Sequence, residues 1–147
     1  MSHATRIGIW GWSYGGYMTL FSLLNAPDVF RAGVAVAPVT DWRDYDTIYT
    51  ERYMGTPAEN EKGYVDSAPL SKAADLKSPL LLVHGSSDDN VHMQNSVQLL
   101  DAFIKAGRPV DFMLYPRKTH GIQGKDARTH LFEKITRFLD VNLMGKP

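Results

Sequence analysis

The 147-residue chain carries sixteen basic and sixteen acidic side chains, so it presents no net field that would draw it to nucleic acid or an anionic membrane surface. Its length suits one domain, and an apolar share of 44% is enough to build a core. The absence of cysteine excludes disulfides, zinc–thiolate sites and a cysteine nucleophile, and no apolar run reaches membrane-spanning length.

The first predicted element is a short apolar strand, about Arg6–Trp10. Gly11-Trp12-Ser13-Tyr14-Gly15 follows it directly. A helix then reads from the stripe of Tyr17, Leu20, Phe21 and Leu24, spaced i, i+3, i+4 and i+7, and Asn25-Ala26-Pro27-Asp28 ends it. A second strand is expected at Ala32–Ala37. From Asp41 to Leu76 the chain reads as irregular, with Pro57 and Pro69 and an aromatic-dense block from Trp42 to Tyr53. Within that block Tyr45, Tyr49 and Tyr53 are four apart, which on one helix would make a core-facing stripe. The run Leu80–His84 is apolar enough for a buried parallel strand. Ser86-Ser87-Asp88-Asp89-Asn90 lies at its carboxyl end. A helix from Val91 to Ala106 is expected to face inward with Met93, Val97, Leu100 and Ile104, and Gly107 stops it. Asp111–Tyr115 reads as a fourth strand, and Lys118-Thr119-His120-Gly121 as a loop. A final helix spans about Ala127 to Leu143, with Leu131, Ile135, Phe138 and Leu139 inward.

Strand, Gly-x-Ser-x-Gly and amphipathic helix form the pattern of a nucleophile elbow, a sharp turn that holds a serine out of the sheet in strained torsions. Strand and helix then run so close that small residues are expected at Gly11 and Gly15, with Gly16 giving further clearance. A serine hydroxyl needs a base beside it, and the base needs an acid. In this arrangement they follow in the order serine, acid, histidine. Ser13, then Asp88 or Asp89, then His120 satisfy that order, each at the carboxyl end of a predicted strand, where open α/β sheets hold functional groups. Ser13 would attack a carbonyl, His120 would carry the proton, and the acid would orient the imidazole. His84 is expected to order backbone before the acid loop. His92, His130 and His3 have no metal-ligand spacing, so neither metal nor cofactor is expected.

Three blocks carry a resemblance: Arg6-Ile7-Gly8-Ile9-Trp10-Gly11-Trp12-Ser13-Tyr14-Gly15-Gly16-Tyr17, then Tyr49-Thr50-Glu51-Arg52-Tyr53-Met54-Gly55, then His84-Gly85 through Asp88-Asp89-Asn90-Val91-His92. Together they resemble the catalytic domain of the prolyl oligopeptidase (S9) family, most closely its dipeptidyl peptidase IV branch. The resemblance implies an α/β fold: a partial α/β-hydrolase holding the last four parallel strands with flanking helices. Residues 1–147 would be the carboxyl-terminal half of that catalytic domain. It implies Asp88 as the acid, with Asp89 capping the loop. It gives the Tyr14 backbone N–H an oxyanion role. It assigns Val39, Trp42, Tyr45, Tyr49 and Val91 to a flat apolar slot for proline or alanine, and Asn90 to a hydrogen bond with the substrate backbone. Aromatic rings suit a pyrrolidine. Tyr53 stays with the core.

The implied activity is hydrolysis of peptide bonds after proline or alanine through an acyl-serine. The family's propeller, its glutamates for the substrate amino terminus and its oxyanion tyrosine have no counterpart in these residues. Weak hydrolysis is therefore expected, since losing one oxyanion donor costs about 10²–10³ in turnover. The alternatives are a small general esterase, or a catalytically silent fragment or assembly module. The expected partners are a peptide or ester substrate and a second copy of the chain. The homodimer would join through the bare apolar edge of the first strand, including Ile7 and Ile9, into a continuous eight-stranded sheet. A further alternative is that another polypeptide supplies the neighbouring strands.

Overall fold

The structure, a computed structural model, describes residues 6–145. His3 lies outside them. Four parallel strands, β1 (Gly8–Trp12), β2 (Ala32–Val36), β3 (Leu80–Gly85) and β4 (Asp111–Tyr115), stand side by side in chain order. Every residue of β2 and β3 is buried. Their apolar runs, interrupted in β3 by His84, thus mark strands covered on both faces.

Steps that all go the same way across a sheet, joined by right-handed crossovers, must put their connections on one face. The packing agrees. Helix α1 (Tyr14–Asn25), the 3-10 turns Pro69–Asp75 and helix α4 (Gln94–Lys105) cover the face that carries Ala35, Leu80 and Leu82. Leu20, Leu23, Leu99 and Phe103 meet those residues there. A fully buried leucine or phenylalanine contributes about 1.5–3 kcal/mol. After β4 the chain crosses beneath the sheet as α5 (Lys125–Leu139). Its Leu131, Ile135 and Phe138 pack on Val34, Val36, Leu81 and Val83 of the other face. Alternating side chains of β2 and β3 therefore serve two cores.

Several expectations are corrected. β1 starts and ends two residues later than expected, because its ladder with β2 runs on to the Trp12–Val36 pair. It therefore enters Ser13 with no intervening turn. The irregular region holds two short helices, α2 (Thr47–Met54) and α3 (Glu61–Ser67), plus a 3-10 turn at Trp42–Asp44. Neither helix has an apolar stripe. Thr50 is the buried residue of α2, and Tyr64 that of α3. The Tyr64 hydroxyl donates to Gly55 O at 2.8 Å and ties the pair together.

The inward face of α4 also differs. Val97 and Ile104 are 46% and 68% exposed, whereas Asn95, Ser96, Leu99 and Phe103 are buried. The reason is pairing. Asn95 Oδ1 accepts from Thr40 N at 2.9 Å, and the Ser96 hydroxyl lies 2.7 Å from a ring nitrogen of His84. Buried polar groups that find partners can occupy a core face.

Candidate active site

The parallel register aligns the strand ends, pairing Trp12 with Val36, Val36 with Val83, and Gly85 with Tyr115. Ser13 follows the first of these ends. Its φ of 59° and ψ of −118° belong to a region that L-residues rarely enter. Its N–H donates to Val36 O at 2.8 Å, and its carbonyl accepts from Tyr17 N at 2.9 Å. The strained residue is thus held on one side by the sheet and on the other by the first turn of α1.

Gly11 makes this turn possible. A Cβ there would fall 2.2 Å from Gly15 O. Gly16 is tight as well, with its Cβ position 2.8 Å from Val36 O. A Cβ on Gly15 would meet nothing within 4 Å. The expectation that Gly15 must be small for its own side chain is therefore corrected. Its backbone is what crowds Gly11.

Asp88 lies in the loop after β3 and is 5% exposed, whereas Asp89 points to solvent. Its Oδ1 accepts from the N–H groups of Asn90 and Val91, both at 3.0 Å. Its Oδ2 lies 2.8 Å from His120 Nδ1 and 3.3 Å from His84 Nε2. Burial pushes the Asp88 carboxyl up. Hydrogen bonds from His120, His84 and the Asn90 N–H outweigh that and hold it well below the usual carboxylate range. The carboxylate is acceptor-only, so His120 carries its proton on Nδ1 and leaves Nε2 as a base.

The acid loop and the histidine loop are stitched together. Ser86 N donates to Tyr115 O at 3.0 Å, Ser87 N to Lys118 O at 3.0 Å, and Arg117 N to Ser86 Oγ at 2.7 Å. Lys118 O crosses the end of β3 so closely that a Cβ on Gly85 would lie 2.3 Å from it. Trp12, the residue before Ser13, donates its indole N–H to His120 O at 2.9 Å. Arg128 stacks on the same indole at 4.9 Å. The elbow thus reaches the histidine loop through one side chain. This role of Trp12 escaped the sequence reading; an indole next to the serine was its one signal. Among the described residues no hydrogen bond joins Ser13 Oγ to the imidazole.

Beside the elbow, Tyr14, Tyr17, Trp42, Tyr49 and Tyr53 surround a cavity of about 550 Å³ together with Thr50, Met54 and Ser67. The expected slot residues separate. Trp42 and Tyr49 line this cavity, with ring centroids 6.0 Å apart. Val39 and Val91 do not. They are 2% and 0% exposed and pack beneath the rings with Tyr17 and Tyr64. Tyr45 and Asn90 border a smaller recess of about 280 Å³, where the Tyr45 hydroxyl donates to Asn90 Oδ1 at 2.8 Å. Burial, with Asp46 beside it, pushes the Tyr45 phenol up, so it stays a neutral donor. Tyr53 is 72% exposed and lines the larger cavity, so its expected place in the core is corrected. Helix α2 lies on the surface with little above it.

Comparison with known proteins agrees with this arrangement. Residues 2–146 match the model of the prolyl oligopeptidase family. Dipeptidyl-aminopeptidase B of Aspergillus niger is 48% identical over 139 residues, and dipeptidyl peptidase 4 of Bos taurus is 46% identical over 137. These alignments cover 92% and 91% of this chain but 15% and 18% of the relatives, so the chain spans less than a fifth of their length. The crystal structure of Porphyromonas gingivalis dipeptidyl peptidase 4 superposes with a TM-score of 0.93 and 52% identity. It is matched over 95% of this chain and 20% of that one. The four parallel strands and their flanking helices thus have an α/β-hydrolase architecture, and the chain belongs to the prolyl oligopeptidase family.

Proposed function

We propose that Ser13, His120 and Asp88 form a catalytic triad that hydrolyses acyl bonds. His120 Nε2 takes the proton of Ser13 as its oxygen attacks the carbonyl carbon. The same imidazole then delivers that proton to the departing amine or alcohol, leaving an acyl-serine. Water, deprotonated by His120, releases the acid product. Asp88 stays ionised and stabilises the imidazolium. Tyr14 begins α1, where a backbone N–H has no partner within the helix, and it donates to the oxyanion.

The observation that carries this reading is the buried Asp88 carboxylate, 2.8 Å from His120 Nδ1, at the sheet end that also holds the strained Ser13. The similarity to dipeptidyl peptidase 4 and dipeptidyl-aminopeptidase B supports a dipeptidyl peptidase substrate class, and the ring-lined cavity beside Ser13 supports cleavage after proline or alanine. In that reading Trp42, Tyr49 and Tyr45 meet the ring before the scissile bond and Asn90 holds the substrate backbone. Val39 and Val91 support the floor beneath them. With one assigned oxyanion donor the chain by itself is a weak hydrolase, and esters, which need less oxyanion help than amides, react first.

Labelling the pure chain with a fluorophosphonate probe tests the triad. The parent is expected to react once, at Ser13, and Ser13→Ala not at all. Equal labelling of both, or of neither, overturns the reading and leaves a silent assembly module. Comparing Gly-Pro substrates with short acyl esters then separates peptidase from esterase. We also propose that two copies pair through the edge of β1 that has no neighbouring strand among the described residues.

A further inference from the structure

His84 has no solvent exposure, and the scheme above gives it no role. It occupies β3, one residue before the strand ends and four before Asp88. Both ring nitrogens are engaged. Nδ1 is 2.7 Å from Ser96 Oγ, and Nε2 is 2.8 Å from Val91 O. Nε2 is also 3.3 Å from Asp88 Oδ2. A carbonyl and a carboxylate both only accept, so the hydrogen must sit on Nε2. The wholly buried Ser96 hydroxyl then donates to Nδ1 and locks that tautomer.

A histidine that merely satisfied two buried groups would end the matter there. The geometry goes further. The Val91 N–H donates to Asp88 Oδ1 at 3.0 Å while the Val91 carbonyl accepts from His84. The loop from Asp88 to Val91 is therefore closed on its own carboxylate from one side and held by the His84 ring from the other. The same ring also lies 3.3 Å from Oδ2, the oxygen that His120 Nδ1 meets at 2.8 Å. One carboxylate oxygen thus contacts both imidazoles, and rotation of the carboxylate would disturb both contacts.

We propose that His84 is a positioning residue: through its Nε2–H, shared between Val91 O and Asp88 Oδ2, it sets the orientation of the carboxylate that aligns His120. This inference rests on the triad reading. It belongs to no substrate contact, since the ring is sealed from the surface. Its effect must travel through Asp88 to His120 and appear as slower activation of Ser13.

Two substitutions divide the ring's functions. In His84→Gln the side-chain amide nitrogen reaches the place of Nε2 and can serve both acceptors. In His84→Asn the amide reaches only the place of Nδ1. The fluorophosphonate labelling rate of Ser13 is expected to fall in His84→Asn by about 10²-fold, the scale of a 1 Å misplacement in an active site. His84→Gln is expected to stay within about tenfold of the parent, the lower range for residues that orient a functional group. The downfield proton resonance of His120 Nδ1–H should survive in His84→Gln and broaden in His84→Asn, which a purely structural role would not produce. Parental labelling by His84→Asn overturns the inference and leaves the triad intact. A parent that does not label at Ser13 overturns the triad, and the inference with it. Should His84→Asn fail to fold, Ser96→Ala keeps the ring and removes its lock; its labelling should slow about tenfold, and a parental rate counts against the proposal.

Discussion

At the scale of single residues, Asp88 is the most constrained group of the site, with four N–H donors around its two oxygens. Its depressed folded-state pKa sets a sign. An ordinary unfolded aspartate titrates near about 3.9. The stabilisation from ionised Asp88 is complete above that value and drains away as pH falls toward the folded pKa. The melting temperature of the parent should therefore exceed that of Asp88→Asn most near neutrality. The gap should narrow below about pH 4; a gap that is constant from pH 7 to pH 3 would refute this account. Glycines offer a second residue-level test. Gly11→Ala drives a Cβ into the backbone of Gly15 and should destabilise by about 3 kcal/mol, the upper range of overpacking. Gly15→Ala meets open space within a helix and should be neutral or stabilising by up to about 1 kcal/mol. Urea denaturation of the two variants checks the contrast. The sequence pattern marked both glycines alike, because Gly-x-Ser-x-Gly records which residues stand near the serine and not which of them bears the contact.

At the scale of elements, α4 shows why periodicity can select the wrong face. Met93, Val97, Leu100 and Ile104 form an apolar stripe, yet the buried stripe runs through Asn95, Leu99 and Phe103. Hydropathy treats Asn95 as a surface residue. Its value here comes from Thr40, 55 positions away, whose N–H and hydroxyl bond its Oδ1 and O, each at 2.9 Å. Asn95→Ala should cost about 1–3 kcal/mol, because it leaves a buried N–H without a partner. Ile104→Lys, on the exposed side, should change stability by less than about 0.5 kcal/mol. If thermal unfolding ranks these variants the other way, the inward face has been misassigned. The strands and the first and last helices were legible, because each carries a sustained apolar pattern of one period. Helices α2 and α3 were not, because each is short and anchored by a single buried side chain. The same reasoning explains the tyrosines: spacing by four put Tyr49 and Tyr53 on one side of α2 and left Tyr45 before the helix begins, and nothing in spacing says which side the core takes.

At the scale of the whole molecule, the sheet has β1 at one border, paired with β2 and with no second neighbour among the described residues. Ile7 and Trp10 are 38% and 51% exposed there. A two-fold axis through this border would join two sheets by antiparallel β1–β1 pairing, since both copies offer the same edge. The expected outcome is a dimer in light scattering at micromolar concentration that Ile7→Lys converts to monomer, because a charge at the exposed sheet edge blocks pairing. A monodisperse parental monomer would end the proposal, and a mixed complex with another polypeptide would replace it. The chain order of Ser13, an acid and His120, each at a strand end, was readable from residues alone, because local patterns of two and 3.6 locate strands, helices and the turns between them. Folding added what local patterns cannot carry. It buried Asp88 and left Asp89 in water, joined the loops of His120 and Asp88 across Gly85, tied the elbow to the His120 loop through Trp12, and sent Val39 and Val91 beneath the rings they were expected to stand beside. Each of those outcomes depends on which distant segment arrives opposite a residue, and only the packed sheet supplies that partner.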